Sequence, residues 1–142
     1  MTQRGQKRTW NEWKEDEITS RDPDTDQTGP NDSPAGDGIP NLLKYATGLD
    51  PLKPCGSVVQ VTAEEAGGDA CLVLGWPVNP EATGIRHAVE ASEDLQTWTE
   101  TAEVETEGKS SATFRDAVPM NAESPRRRFL RLKISREGES PL

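Results

Sequence analysis

The residues best suited to chemistry are the aspartates Asp22, Asp24 and Asp26 and, farther along, Asp37. Hard divalent cations take about six to eight oxygen ligands, and a tight loop supplies them from carboxylates at alternate positions, with glycine at the turn. Counting Asp37 and Gly38 as the fifth and sixth positions of such a loop puts Ser33 first, Ala35 third and Lys44 twelfth. Ala35 has no ligand oxygen, and Lys44 brings a positive charge where a bidentate acid is wanted. Counting instead from Asp22 puts Asp24 third and Asp26 fifth, but Gln27 where glycine belongs and Ser33 in twelfth place. A composite site remains, in which residues 27–36 fold back and bring Asp22, Asp24 and Asp26 to Asp37. Calcium is the one cofactor these residues suggest. The competing reading is a degenerate loop whose aspartates only cap turns and meet water.

Aromatic and basic residues offer a second chemistry. Trp10 and Trp13 are three apart, so on a helix they share a face that could stack on a sugar or pack on a neighbouring element. Tryptophan buries a large area, which favours packing. Arg126, Arg127 and Arg128, followed by Arg131, Lys133 and Arg136, form the basic cluster of an acidic chain. Such a cluster suits an anionic glycan or acidic partner, or a solvated edge strand whose charges oppose sheet-to-sheet aggregation. Salt bridges from it to Glu103, Glu105 or Glu107 are a further expectation. The single histidine, His87, shares a strand phase with Ile85 and Val89, which marks a core or rim residue. No nucleophile elbow, phosphate loop or paired metal-histidine motif is present, so the chain reads as non-enzymatic. Cys55 and Cys71 lack the spacing of a zinc site and read as unpaired small hydrophobes, with one disulfide in an oxidising compartment as the alternative.

These residues need elements to position them. Residues 8–18 pattern as a short helix on which Ile18 extends the Trp10–Trp13 contact, and residues 19–36 as an acidic, polar loop with too little apolar surface to fold unless an ion orders it. Asp37 to Pro51 encode a second short helix. Asp37 is its expected cap, Pro40 suits its first turn, Ile39, Leu42, Leu43 and Ala46 share a face, and Gly48 stands at a left-handed C-terminal cap. Six strand-like runs follow, at 57–62, 70–76, 85–92, 103–106, 111–116 and 127–135, with the first hairpin turning near Gly67-Gly68. On this pattern Cys71 sits opposite Thr62. The corner Ser92 to Trp98 is expected to plug one end with Leu95 and Trp98, while Ser92, Asp94 and Thr97 bind turn amides. The fold class is mainly β: an immunoglobulin or fibronectin type III-like β-sandwich preceded by short N-terminal helices and an acidic loop. The divisions are 1–36, a polar segment; 37–54, helix and proline-rich connector; 55–135, the sandwich; and 136–142, a frayed tail.

At 142 residues the chain fits one domain with polar extensions, and its hydrophobic fraction of 32% allows a modest core. A net charge of −9 argues against nucleic acid, whose binding draws on lysine and arginine. No apolar run approaches the ~18 residues of a membrane span. The basic start, Met1 to Arg8, precedes no apolar stretch and so is no signal peptide.

The segment Asp37-Gly38-Ile39, Asn41-Leu42-Leu43, Tyr45-Ala46 and Gly48-Leu49-Asp50-Pro51 resembles the C-terminal modules of large secreted or surface proteins of Verrucomicrobia and related bacteria. There a Asp-Pro-Asp-Gly-Asp-Gly-Ile-x-Asn-Leu-Leu-Glu-Tyr-Ala-Leu-Gly-x-Asp-Pro segment precedes a small β-domain. Its aspartate-rich part is similar to a thrombospondin type 3 or dockerin-type calcium loop. Val89 to Leu95, Trp98 and Arg128 to Leu132 are later landmarks similar to the family's, so the resemblance covers roughly residues 35 to 135. It implies export to the cell surface or medium. Since the chain has no export signal, it is then a piece or separately encoded tail of a larger protein; otherwise it stays in the cytoplasm. The resemblance further implies a non-catalytic structural or accessory module, with another domain of a parent protein or a glycan as partner. The alternative is a carbohydrate-binding module using exposed tryptophans, with Trp10 and Trp13 as the first candidates.

Overall fold

The computed structural model describes residues 7–66, 69–117 and 128–137. Two short helices lead. Helix α1 (Trp10–Lys14) begins with a capping box, in which the Thr9 hydroxyl accepts from Glu12 N and the Glu12 carboxylate accepts from Thr9 N. It runs into a π-helical turn, Glu15–Thr19. Helix α2 (Asn41–Thr47) ends at Gly48, whose φ of 80° supplies the expected left-handed cap. Its start differs from expectation. Pro40 holds the cap position without a side-chain bond, and Asp37 lies too far upstream to serve α2.

The remainder is a β-sandwich of two antiparallel three-stranded sheets. One has the order β1 (Gln60–Ala66), β2 (Asp69–Pro77), β5 (Ser111–Arg115); the other has β4 (Thr99–Val104), β3 (Ile85–Ser92), β6 (Phe129–Arg136). Strand β3 has the expected bounds. Strand β1 begins three residues later than expected, because Val58 and Val59 lead into the sheet rather than lie in it. Strand β4 begins earlier, at Thr99, where the edge pairs with β3 across a bulge at Val89/Glu90. Cys71 faces Glu64 rather than Thr62, and both cysteines are free. Strand β6 runs through Arg136, and Glu137 N donates to Gly84 O, so these two residues of the expected tail are paired, while 138–142 lie outside the described residues. The turn at Gly67-Gly68 and the arginines Arg126 and Arg127 lie outside the described residues.

Alternation along the strands builds the core. Leu74 and Trp76 of β2 and Ala112 of β5 face Val89 of β3, with Phe114, Val104, Leu130 and Leu132 packed around them. A second apolar cluster joins the helices to the sandwich: Trp13, Ile18, Leu42 and Tyr45 pack with Ile85 of β3 and Ile134 of β6. The corner at 92–98 departs from expectation. Leu95 is 57% exposed with φ 64°, and Trp98 lies half-buried beneath the Arg131 guanidinium, 4.0 Å from its ring centroid. The local amides explain why: Ser92 Oγ accepts from Leu95 N, and Asp94 Oδ1 accepts from Gln96 N and Thr97 N, which fixes a tight turn that throws Leu95 outward.

Candidate functional site

The residues around α2 are where charged and polar groups converge. Lys44, on α2, and Asp37, in the loop before it, form an ion pair of 2.8 Å with side-chain exposures of 0% and 6%. The Lys44 ammonium also donates to the Lys53 carbonyl at 3.0 Å. The Asp37 carboxylate is held on both oxygens. Oδ1 accepts from Ser33 Oγ and Ile39 N, and Oδ2 accepts from Cys55 N as well as from Lys44. Donation from Lys44, aided by these backbone and hydroxyl donors, drives the Asp37 pKa well below the usual carboxylate range.

Helix geometry places Lys44 there. It lies three residues after Asn41 on a helix that is buried on nearly every side, so its long stem passes between packed side chains and delivers the charge to the loop. Asn41 anchors the other flank. Its Nδ2 donates to the carbonyls of Gln27 and Gly29 at 3.1 and 3.0 Å, its backbone N donates to Asp32 O, and Leu42 N donates to Pro30 O. Asp32 Oδ2 in turn accepts from Gly29 N. Arg21 bonds Asp50 at 2.6 Å, closing the far end of the acidic loop. The loop expected to need an ion is thus tied by protein hydrogen bonds.

Tyr45 connects this collar to the sandwich. Its hydroxyl lies 2.7 Å from the carbonyls of Arg8 and Thr83 and accepts from Thr83 N. Burial raises its pKa. Asn79, just past β2, donates from its side chain to Tyr45 O and from its backbone to Ala46 O, so it satisfies the end of α2. Sequence reasoning missed Asn41, Asn79 and the true role of Lys44. The Asn41 signal is legible in retrospect: a polar residue in an otherwise apolar helix must find partners when it is buried.

The candidate calcium ligands do not converge. Asp22, Asp24 and Asp26 are exposed in the loop after the π turn, whereas Asp37 is committed to Lys44 and three other donors. Among the described residues no group of three His, Cys, Asp or Glu side chains is placed to hold a metal. These four residues do not fit a calcium ion as arranged, because Asp37 alone among them has a buried carboxylate and a lysine ammonium already stands against it.

The tryptophans are packed, not displayed. Trp10 and Trp13 stack with ring centroids 5.7 Å apart and both contact Tyr45; Trp13 is 2% exposed. Trp76 is buried and donates its Nε1–H to His87 Nδ1 at 3.1 Å. That bond fixes the neutral tautomer of His87, with the proton on Nε2, and burial lowers its pKa to about 4. His87 is therefore the satisfied core residue expected from its strand phase. It borders a polar cleft of 510 Å³ whose walls include Arg86, Glu103 and Glu107. Arg86 is matched there by Glu100 and Glu103. The basic cluster also finds partners other than those expected: Arg128 grips Asp116 in a two-bond pair of 2.6 and 3.0 Å, and Arg131 and Lys133 both reach Glu90.

No helix among the described residues is long and apolar enough to cross a membrane. Comparison with protein-family profiles, with curated proteins and with solved structures returns no match.

Proposed function

We propose that this chain is a non-catalytic structural module in which an internal ammonium does the work of a loop cation, locking a helical collar onto a β-sandwich. The observation that carries this reading is the Lys44 Nζ position, bonded to Asp37 and to the Lys53 carbonyl at the junction between loop, helix and connector. A calcium loop gathers carboxylate and carbonyl oxygens around a positive charge. Here the charge is covalently attached, so the junction closes without free metal. The resemblance to modules of secreted and surface proteins supports a task of spacing, folding support or display within a larger bacterial envelope or secreted protein. The constant cation suits such a task, because the geometry then survives any calcium concentration. Stacked Trp10 and Trp13 and buried Trp76 support this reading over a carbohydrate-binding platform.

The test is thermal unfolding with chelator and with millimolar calcium. The expected result is one melting temperature in both conditions. A Lys44→Glu variant, which removes the ammonium and adds a carboxylate, should melt lower and regain stability with calcium but not with magnesium. A wild-type chain that calcium stabilises by several degrees would overturn the reading.

A further inference from the structure

Strand β6 is an edge: β3 pairs on one side, and no strand among the described residues pairs on the other. An unpaired edge leaves a row of amides and carbonyls able to accept another strand. In chain order and pairing, β1, β2 and β5 match strands A, B and E of the immunoglobulin arrangement and β4, β3 and β6 match C′, C and F, so β6 holds the place of F, whose far neighbour there is G. Two separate features mark this place.

The first lies in the opposite sheet. Strand β2 touches β6 across the sandwich. Strand β1 is the outer neighbour of β2 in that sheet. Val61 pairs with Leu74 and shares its inward face, yet Val61 is 50% exposed where Leu74 is 0%. An inward valine left half in water marks a face that the described residues of the opposite sheet do not close.

The second is a groove of 550 Å³ along β6, walled on the far side by Pro40, Leu42 and Leu43 of the collar. Its β6 wall offers Leu132 and Ile134 on the core side and Arg131 and Lys133 on the outer side. Both cations share the single carboxylate of Glu90, so the outer rim holds a positive surplus in a chain of net charge −9.

We propose that this groove is a strand-docking site. Its occupant is an extended segment of a partner protein with alternating apolar and acidic residues. The segment adds to β6 as a fourth strand, its apolar side chains covering Leu132, Ile134 and Val61 and its carboxylates meeting Arg131 and Lys133. Main-chain pairing supplies affinity in such a mode, and the alternating side chains supply selection. The charge pattern selects against the other occupants: a second β6 would oppose like charges across the new pair.

The test uses the whole chain and a fluorescein-labelled peptide of alternating valine and glutamate, matched to the eight residues of β6. Controls are the valine–lysine peptide and a valine–glutamate peptide with its valines grouped. The acidic alternating peptide should bind, and both controls should bind at least roughly tenfold more weakly. Hydrogen exchange should slow at β6 amides of 129–136 and stay unchanged at β4. Neutralising the rim with Arg131→Gln and Lys133→Gln, checked for folding by circular dichroism, should weaken binding roughly tenfold while far-ultraviolet spectra hold. Equal binding of the acidic and basic peptides, or protection at β4 instead of β6, would overturn the proposal. So would full protection of both faces of β6 before any peptide is added, since a second copy or the chain's own residues would then fill the groove. No binding at millimolar peptide would overturn it as well.

Discussion

The collar and the sandwich solve the same packing problem by opposite means. In the sandwich, Leu74, Trp76, Val89 and Ala112 meet across two sheets, and alternation alone turns apolar side chains inward. In the collar, a seven-residue helix buries Asn41, Lys44 and Thr47 together with Leu42 and Tyr45. So short a helix is marginal on its own, and the polar bonds it makes to residues 27–37, 53 and 79 hold it in one place. Apolar burial tolerates small shifts. A buried ion pair does not, because removing one partner strands the other charge. The collar should therefore be the more brittle region, and the sandwich the more forgiving.

Lys44→Met breaks the comparison most directly. It keeps the stem and removes the charge, leaving the Asp37 carboxylate without its cation, and should cost roughly 3–5 kcal/mol in chemical denaturation. Adding Asp37→Leu should recover part of that loss. Recovery stays incomplete because Ser33 Oγ, Ile39 N and Cys55 N lose their acceptor. If the single variant unfolds at the wild-type midpoint, the collar is not held by its charges.

Acid probes the sandwich side. The folded pKa of His87, about 4, lies below its ordinary value of 6.5, so the unfolded chain binds more protons between those limits. Stability due to neutral His87 is complete above that window and is lost as pH falls through it, by about 3 kcal/mol in total. Denaturation midpoints for wild type and His87→Gln, measured from pH 7 to pH 4, should converge as the pH drops. Asp37, Asp50 and Asp94, whose pKa values are all lowered, act in both proteins and cancel in the difference. Parallel curves would mean that His87 is open to water in the native state.

The smallest effect belongs to the corner. Leu95 holds φ 64° with most of its side chain in water, so Leu95→Gly removes a backbone penalty of about 1 kcal/mol and forfeits little burial. Glycine's greater freedom in the unfolded chain offsets part of the gain. The expected outcome is a melting temperature equal to or slightly above wild type; a clear drop would show Leu95 packed after all.

The sandwich was the more legible region. Val89 and its neighbours in β3, Leu72, Leu74 and Trp76 in β2, and Leu130, Leu132 and Ile134 in β6 carry a period of two that any half-buried strand must show, and local pattern suffices to find it. The edges were misplaced because Val58 and Val59 carry strand propensity outside the true pairing, whereas Glu100, Ala102 and Glu103 carry little of it inside β4. At the corner, Leu95 and Trp98 looked like plugs because size suggests burial, but hydrogen bonds to Ser92 and Asp94 decide where that turn points.

In the collar, the sequence determined the helix, its Gly48 stop and the stacked Trp10–Trp13 pair, all of which follow from spacing within a few residues. It also displayed Lys44 as the wrong charge for a cation loop. Only the tertiary structure decided what that charge does. Whether a lysine reaches solvent or a carboxylate seven positions back depends on what surrounds its helix, and that burial comes from β3, β6 and the connector at Lys53. The same holds for the open edge of β6: strand-forming residues announce a strand, but which side stays unpaired depends on how every other strand in the sheet has been placed.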